Sequence, residues 1–599
     1  MTPFSWMVLI PLFLSLLFSF GYGLLHNNAA FSNRYYSRSS LPLRSSSDLN
    51  PATKEEYDLI VVGGGPVGVE AALVAANKFE KRVCLVDAPK YSGAIQAAGR
   101  DLSLGGPTGL FSKALRDTSK RINVEMLRGI GLREDSVWNE IVNECLRLAT
   151  ANADDKVRQL RYAGVEIVEG FAKFNNNSCD NSSSHVSLNV KLENEEGDSL
   201  EKTLQSKKIL LATGSKPFRP DNIPFDGRRI FDSDSINSIS YLPRSIAITG
   251  SGIIAIEYAK IFRNLGAEVH LIIRDKVPRN ALMKCGLDKD VAATLVADLV
   301  RSGIHIQRGA QVKSFEVPKR LNVPMKVVLE AKGGGQRPLG CLTEIKCDCY
   351  IAAVGRVANT EHLCLDAIGV DVDDYGCITC KSSMQTSNSL VYAAGDVLGR
   401  PFLASTGIAQ GVAAVEFIYS AKESSQSCDV DDIKCKESSL STTGANFDPK
   451  SLALNPSAFP VGIWSSPEAS FFGLSTQQAK EYGIDAGEGI ALYSECLRGV
   501  VFSPNGLLKL VFDRADKHII GVHIVGDDAC ELIHYGMELV RSSSTLQEVT
   551  TQVYTAVTFH ELYKIAALAG MDEAAARKRR AAAGKALSRM NRRKAAERQ

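Results

Sequence analysis

YDLIVVGGGPVGVEAALVAA (57–76) sets an apolar run, a glycine cluster and a second apolar run end to end. The first run predicts a buried strand, the glycines a tight turn and the second run a helix. Gly63, Gly65 and Gly68 occupy the positions of a G-x-G-x-x-G turn. In such a turn the first two glycines let the backbone bend and approach a pyrophosphate, and the third lets helix and strand pack closely. The positive end of the helix then faces the phosphates. A second apolar run, RVCLVDA, ends on Asp87, where an acid accepts ribose hydroxyls. Cys84 falls inside that run and reads as core.

The pattern recurs. RSIAITGSGIIAIEYAKIFRNLGAEVHLIIR (244–274) carries Gly250, Gly252 and Ala255 at the turn. Its second strand is expected to end at Arg274, with Lys276 and Arg279 just beyond and no acid at the strand end. A guanidinium there can hold a 2′-phosphate bidentately, which favours NADP(H) over NAD(H). Two such units, the second inserted after LLATGS (210–215), predict an α/β chain with two Rossmann-like dinucleotide-binding domains and two redox cofactors facing each other. Thr213 and Gly214 in the first junction, and Gly355 closing CDCYIAAVGR, join the expected cofactor-binding positions.

Size agrees with several domains, because 599 residues exceed what one core supports. The net charge of +2 gives no global reason for a nucleic-acid partner. Fourteen cysteines are spread without a dense framework, which suits a reduced compartment. Residues 7–25 are almost wholly apolar, and the following HNNAAFSNRYYSRSSLPLRSSS is rich in Ser and Arg with no acid before Asp48. Together they resemble the bipartite presequence of algae with secondary plastids, cleaved before a Phe, here Phe31. Plastid delivery is the expectation, with a secretory signal or membrane anchor as alternatives. The mature domain is expected to need no membrane.

The layout resembles the pyridine nucleotide–disulfide oxidoreductase family, whose order residues 57–215 and 244–420 both follow. TSNSLVYAAGDV (386–397) matches its third flavin segment, so the resemblance implies that Gly395 and Asp396 contact FAD, with Asp396 on the ribitol. PFLASTGIAQGVAAVE then lays a helix with its N-terminus toward the isoalloxazine. The implied domains are an FAD domain (51–237 and 356–420) interrupted by an NAD(P) domain (238–355), then a C-terminal α+β dimerisation domain (451–570). The family resemblance also implies a homodimer.

Disulfide-reducing members carry C-x-x-x-x-C before P-S-K. Here Ser112-Lys113 survive in GGPTGLFSKALRD (105–117), while the cysteine positions fall on Leu104 and Gly109. No cysteine occurs between Cys84 and Cys145, so no neighbouring thiol can substitute. The C-terminal H-P-x-x-x-E becomes Ala556-Val557-Thr558-Phe559-His560-Glu561, leaving Glu561 without the base it would orient. His560 reads as a bystander. One polar pair is implied to survive beside the flavin, Lys113 with Glu257, and these are the two catalytic candidates.

Segments 228–263, 391–411, 462–483 and 519–540 resemble the branch of the family made up of soluble pyridine nucleotide transhydrogenases. That resemblance implies ping-pong exchange at one nicotinamide site, with hydride passing from NADPH through FAD to NAD⁺. Catalysis is then mainly positioning and control of flavin potential. The flavin-proximal loop 91–111 departs from that branch. Diaphorase or oxidase activity with quinone or oxygen is the enzymatic alternative, and a flavin-binding sensor the non-enzymatic one.

The remaining segments carry less. Residues 421–450 are polar and Ser-rich and read as a disordered insertion, with Cys428 and Cys435 as loop thiols. Cys347/Cys349 and Cys377/Cys380 superficially suggest zinc, but both stretches read as strands, and in a strand i and i+3 face opposite ways, so Cys377 and Cys380 would not hold one ion. No metal site is expected. The tail 571–599 holds ten Lys/Arg against three acids and reads as a solvated appendage.

Overall fold

The strand Glu56–Val62 is buried on both faces and lies between two parallel neighbours, Val83–Asp87 and Ser199–Leu211. In the computed structural model, the described residues are 56–88, 115–119, 134–175, 185–193, 199–332, 339–420, 459–503, 505–574 and 578. The presequence 1–50, the loop 91–111, Lys113, the insertion 421–450 and most of the tail lie outside them. An unbroken apolar run at 59–62 is what a central parallel strand requires, because helices cover both its faces. Beyond Val83–Asp87 the sheet ends in Glu166–Glu169. On the other side Ser199–Leu211 pairs first with the antiparallel Val186–Glu193 and further on with the parallel Val391–Ala393. The last of these comes from a segment about 180 residues downstream in sequence, so the nucleotide fold closes only after the second one has been made.

The second fold is a five-stranded, wholly parallel sheet: His305–Arg308, Glu268–Ile273, Ser245–Thr249, Cys349–Ala352 and Ile230–Asp232. Its edge strand Ile230–Asp232 comes before residue 238, so this sheet draws on chain that the sequence reading gave to the flavin domain. An antiparallel sheet of Ala310–Glu316, Met325–Ala331 and Leu342–Cys347 packs beside it. The 29-residue helix Glu134–Tyr162 ties the two nucleotide folds together. Trp138, Ile141 and Cys145 enter the core of the second fold, where the Trp138 indole N–H donates to the Ile239 carbonyl at 3.2 Å. Leu160, near the other end, packs into the first.

The C-terminal domain is an antiparallel sheet ordered Val461–Ile463, Glu468–Gly473, Ile519–Gly526, Leu507–Asp513 and Ala486–Leu492. The helices Ala529–Arg541 and Glu561–Met571 cover it. The latter helix reaches into the segment assigned to the tail, and Glu573 beyond it holds Arg514 at 2.9 and 3.1 Å. The four cysteines weighed for zinc lie in two different settings. Cys347 closes one strand and Cys349 opens the next, both buried. CITC is not a strand: only Ile378 makes a bridge, to Val372. The Asp373 carboxylate captures the N–H groups of Tyr375 and Cys377, each within 2.9 Å, and bends the chain into a turn instead.

Candidate cofactor site

The two glycine turns are built alike. Gly63 (φ +115°) donates its N–H to the Val86 carbonyl at 2.8 Å, and Gly250 (φ +147°) donates to Ile272 at 3.1 Å. A Cβ at either would stand 2.3 Å from a carbonyl of the next strand end, that of Ala212 or of Ala353. Gly68 presses its helix on the turn so closely that a Cβ would lie 1.9 Å from the Gly63 carbonyl oxygen. The second turn is looser at this point and accommodates the Cβ of Ala255. The middle glycines behave in the opposite way. A Cβ on Gly65 or Gly252 would meet nothing within 4 Å among the described residues. Each of these two residues caps a helix, Pro66–Asn77 or Ile253–Asn264, without a side-chain hydrogen bond. The first-turn N–H groups therefore face open space with the positive helix end behind them, which suits a phosphate. Gly214 (φ +71°) and Gly355 (φ +144°) also border open space, and their backbones are fixed by Asn359 and Phe218, whose N–H groups donate to their carbonyls at 3.0 Å.

The acids and cations at the strand ends are placed differently. Asp87 Oδ1 accepts the Gly64 N–H at 2.8 Å, which holds the carboxylate at the turn. Strand register pairs Val62 with Val86 and Thr249 with Ile272, so the residue equivalent to Asp87 is Ile273, buried at 3% exposure. The strand ends there and Arg274 stands one position later, because the chain from the helix end to the equivalent strand position is one residue shorter, Asn264 to Val269 against Asn77 to Val83. Arg274, Lys276 and Arg279 are exposed and form no ion pair or hydrogen bond among the described residues. Asp275, which the sequence reading passed over, is paired with Lys284 at 2.5 Å.

The third flavin segment is locked to the first by close packing. Cβ atoms added at Gly395, Gly407 and Gly411 would come within 2.9, 2.7 and 3.0 Å of the Val67 side chain. Only glycines there let the helix Ala404–Ser420 lie against Pro66–Asn77, and Gln410 reinforces the contact by accepting the Gly395 N–H at 3.0 Å. Asp396 receives a 2.6 Å hydrogen bond from the Ser215 hydroxyl. Ser215 Oγ accepts from Arg356 Nε at 2.7 Å, and Arg356 also grips Asp234 with both terminal nitrogens at 2.8 and 3.1 Å. Burial raises the Asp396 carboxyl above its ordinary value, and the Ser215 hydroxyl and Arg356 charge offset only part of this. Sequence reasoning missed Ser215, Arg356 and Asp234, which fix Asp396. The signal was their place beside Gly214, Gly355 and the edge strand. Gly407 and Gly411, four apart on one helix face, were the sequence sign of the Val67 contact.

Lys113 is outside the described residues, as are Leu104 and Gly109. Glu257 is half-buried, and its Oε1 accepts the Trp464 backbone N–H from the C-terminal domain at 3.0 Å. The buried Arg116 stacks its guanidinium on the Trp464 ring at 4.7 Å. His560 precedes its helix and is exposed. Its ring lies near Tyr535 and Tyr563, while Glu561 turns back to accept the Thr558 N–H at 3.2 Å. Among the described residues, no group of three His, Cys, Asp or Glu could hold a metal ion, and no helix is long and apolar enough to cross a membrane.

These residues fit an FAD and a nicotinamide dinucleotide: two open glycine cradles at uncapped helix starts, and strand ends that carry an acid in one fold and cations just past the end in the other. A further sign is the Thr406 hydroxyl, buried in the first turn of Ala404–Ser420 with no hydrogen-bond partner among the described residues.

Comparison with known proteins agrees with this fit. The pyridine nucleotide–disulphide oxidoreductase model matches residues 54–411, and the dimerisation domain of the same family matches 459–567. The soluble pyridine nucleotide transhydrogenase of Marinomonas sp. (strain MWYL1) is 30% identical over 528 residues, covering 87% of this chain and 99% of its own. That of Colwellia psychrerythraea is 29% identical, covering 86% and 98%. Among solved structures, LpdA from Mycobacterium tuberculosis superposes with a TM-score of 0.66 at 20% identity, over 85% of this chain and 99% of that one. The HOCl-induced flavoprotein disulfide reductase RclA from Escherichia coli gives 0.65 at 18%, over 86% and 99%. At those identities the structures speak for the fold. The paired glycine cradles, the shared topology and the family match over most of the chain lead to one conclusion: the chain belongs to the pyridine nucleotide–disulphide oxidoreductase family and is an FAD-dependent NAD(P) oxidoreductase.

Proposed function

We propose that this enzyme is a transhydrogenase, moving hydride reversibly from NADPH to NAD⁺ by way of FAD and without a redox-active disulfide. The observation that carries the reading is the stretch between Cys84 and Cys145, which contains no cysteine, together with Ala556 in place of the C-terminal base. Without a dithiol to receive them, electrons that enter from one nicotinamide can leave to another. Both curated relatives named above carry the transhydrogenase name.

Bound FAD would supply the two-electron acceptor and donor in this reaction. The chain's own part is to bind and orient. The Gly252 cradle takes the pyrophosphate of either nicotinamide, and Arg274 and Arg279 meet the 2′-phosphate of NADP(H). By resemblance to the family, Lys113 and Glu257 would be the charged pair that holds the isoalloxazine edge, and their charges would tune the local potential. The protein works as a homodimer, in keeping with its dimerisation domain. That domain exposes Leu497, Val500, Val501 and Phe502 on one short helix, apolar surface of the kind subunit contacts cover.

The test is anaerobic mixing of the purified flavoprotein (residues 51–599) with NADPH and an NAD⁺ analogue of distinct absorbance. Parallel-line kinetics with reduction of the analogue supports transhydrogenation. Oxidation of NADPH only when oxygen or a quinone is added, with the analogue untouched, makes the protein a diaphorase or oxidase instead. In the R274A/R279A variant the KM for NADPH should rise about tenfold to a hundredfold, the loss of one charge-assisted hydrogen bond or slightly more, while that for NADH stays within about twofold.

A further inference from the structure

Resting on the proposed reading, a single nicotinamide site must accept two adenosine ends, one with a ribose diol and one with a 2′-phosphate. The strand that would present a diol-binding acid has Ile273 at that register, so the family's usual acid position is filled by a buried apolar side chain. Two residues on, Asp275 is anchored by its backbone, its carbonyl accepting the Gly309 N–H at 3.1 Å. Its carboxylate lies between the uncommitted cations Arg274 and Lys276 in sequence, yet it pairs with neither. It is turned to Lys284, at 2.5 Å, the residue that caps the C-terminal end of the helix Pro278–Met283. Lys284 is 68% exposed and Asp275 29%, so water screens the pair and it opens at little cost.

We infer that Asp275 and Lys284 form the discriminating element that lets this one site take both NAD(H) and NADP(H). With a 2′-phosphate present, Lys284 keeps the carboxylate neutralised and turned aside, and Arg274 and Arg279 receive the phosphate. With a plain ribose, the 2′- and 3′-hydroxyls donate to Asp275, which leaves Lys284. A carboxylate left unneutralised beside the cations would repel the phosphate. A site without the carboxylate would give the diol no strong acceptor.

The experiment titrates the FAD-loaded enzyme with 5′-AMP and with adenosine 2′,5′-bisphosphate by calorimetry, and reads the ratio of the two dissociation constants. These probes report the adenosine pocket and need no hydride transfer. In D275N the ratio of the AMP constant to the bisphosphate constant should rise about tenfold, the loss of one charge-assisted acceptor. In K284Q, where the carboxylate is freed, the ratio should fall severalfold. An unchanged ratio in either variant overturns the inference. Failure of transhydrogenation with both shifts intact would remove the proposed reaction and leave the two-ligand pocket standing.

Discussion

Lys509, in the middle of a C-terminal-domain strand, is fully buried and places its Nζ 2.9 Å from both carboxylate oxygens of the equally buried Asp288 in the nicotinamide domain. Asp290 at 2.8 Å and Glu488 at 2.6 Å complete the cage. Asp288 has a second task, because its Oδ1 caps the helix Lys289–Arg301 through the Asp290 N–H at 2.9 Å. One ammonium thus joins a helix start of one domain to the sheet of another.

Removing that ammonium alone should be costly. Lys509→Met leaves Asp288 buried without its counter-charge, and the loss should be about 3–5 kcal/mol in denaturant unfolding. Adding Asp288→Asn removes the stranded charge while keeping a side chain that can cap, so the double variant should recover part of the loss. A double variant no more stable than Lys509→Met would mean that the interface depends on packing and not on this pair. The pair also has a predictable alkaline limb. Burial by itself lowers the Lys509 pKa, but Asp288, Asp290 and Glu488 raise it above its ordinary 10.5. A raised folded value contributes stability fully present below the unfolded pKa and lost as pH rises through the folded one. Wild type should therefore lose stability above about pH 10 more steeply than Lys509→Met.

A neighbour of the same cage gives the opposite sign. His523 is fully buried, its Nε2–H donates to the Leu474 carbonyl at 3.0 Å, and its Nδ1 has no partner among the described residues. Burial holds its pKa below the ordinary 6.5, partly opposed by the Asp288 charge and the Leu474 carbonyl. The unfolded chain binds the proton first, so stability is lost as pH falls from about 6.5 toward the folded value. In His523→Gln, which retains a donor for Leu474, the melting temperature should change less between pH 7 and 5 than in wild type. Equal slopes in the two proteins would assign the acid sensitivity to other groups.

How far the sequence could be read depended on whether a feature was local. Each glycine turn was legible because strand, turn and helix follow one another within about 20 residues, and each glycine has its own steric reason. The offset between Asp87 and Arg274 was not. It depends on a strand register in which a single extra residue before Val83 shifts the acid position onto Ile273. The Asp396–Ser215–Arg356–Asp234 chain was hidden for a related reason. Its members come from four separate segments, and only the fold's crossovers bring them together. CITC went astray because alternating apolar residues suit a strand, while Asp373, four residues upstream of Cys377, imposes a turn through its side chain.

The three-glycine grip on Val67 should govern flavin retention. In Gly407→Ala the new methyl would meet Val67 Cγ2 at 2.7 Å and the Gly395 Cα at 3.0 Å, forcing the two helix starts apart. Such overpacking costs about 1–3 kcal/mol, and its effect falls on the two segments that meet the flavin. The ratio of flavin to protein absorbance after dialysis should drop, and adding Val67→Ala should restore it in part because only the first contact is relieved. Full flavin content in Gly407→Ala would show that the helices can part without disturbing the cradle.

The first and second glycines of each turn should respond differently to the same methyl group. At Gly63 alanine is strained by φ +115° and blocked by the Ala212 carbonyl at 2.3 Å, so the apoprotein itself should lose stability. At Gly65, with φ near −71° and no atom of the described residues within 4 Å of a Cβ, alanine is free to fit in the empty fold. Its methyl would occupy the space a pyrophosphate needs. Gly65→Ala should therefore unfold within about 0.5 kcal/mol of the wild-type apoprotein, yet retain little FAD. Gly252→Ala, built the same way, should retain FAD and raise the KM for both NADH and NADPH by similar factors, since the pyrophosphate is common to them. If Gly65→Ala kept its flavin, or if Gly252→Ala affected only one nicotinamide, the open cradles would not be where the pyrophosphates lie.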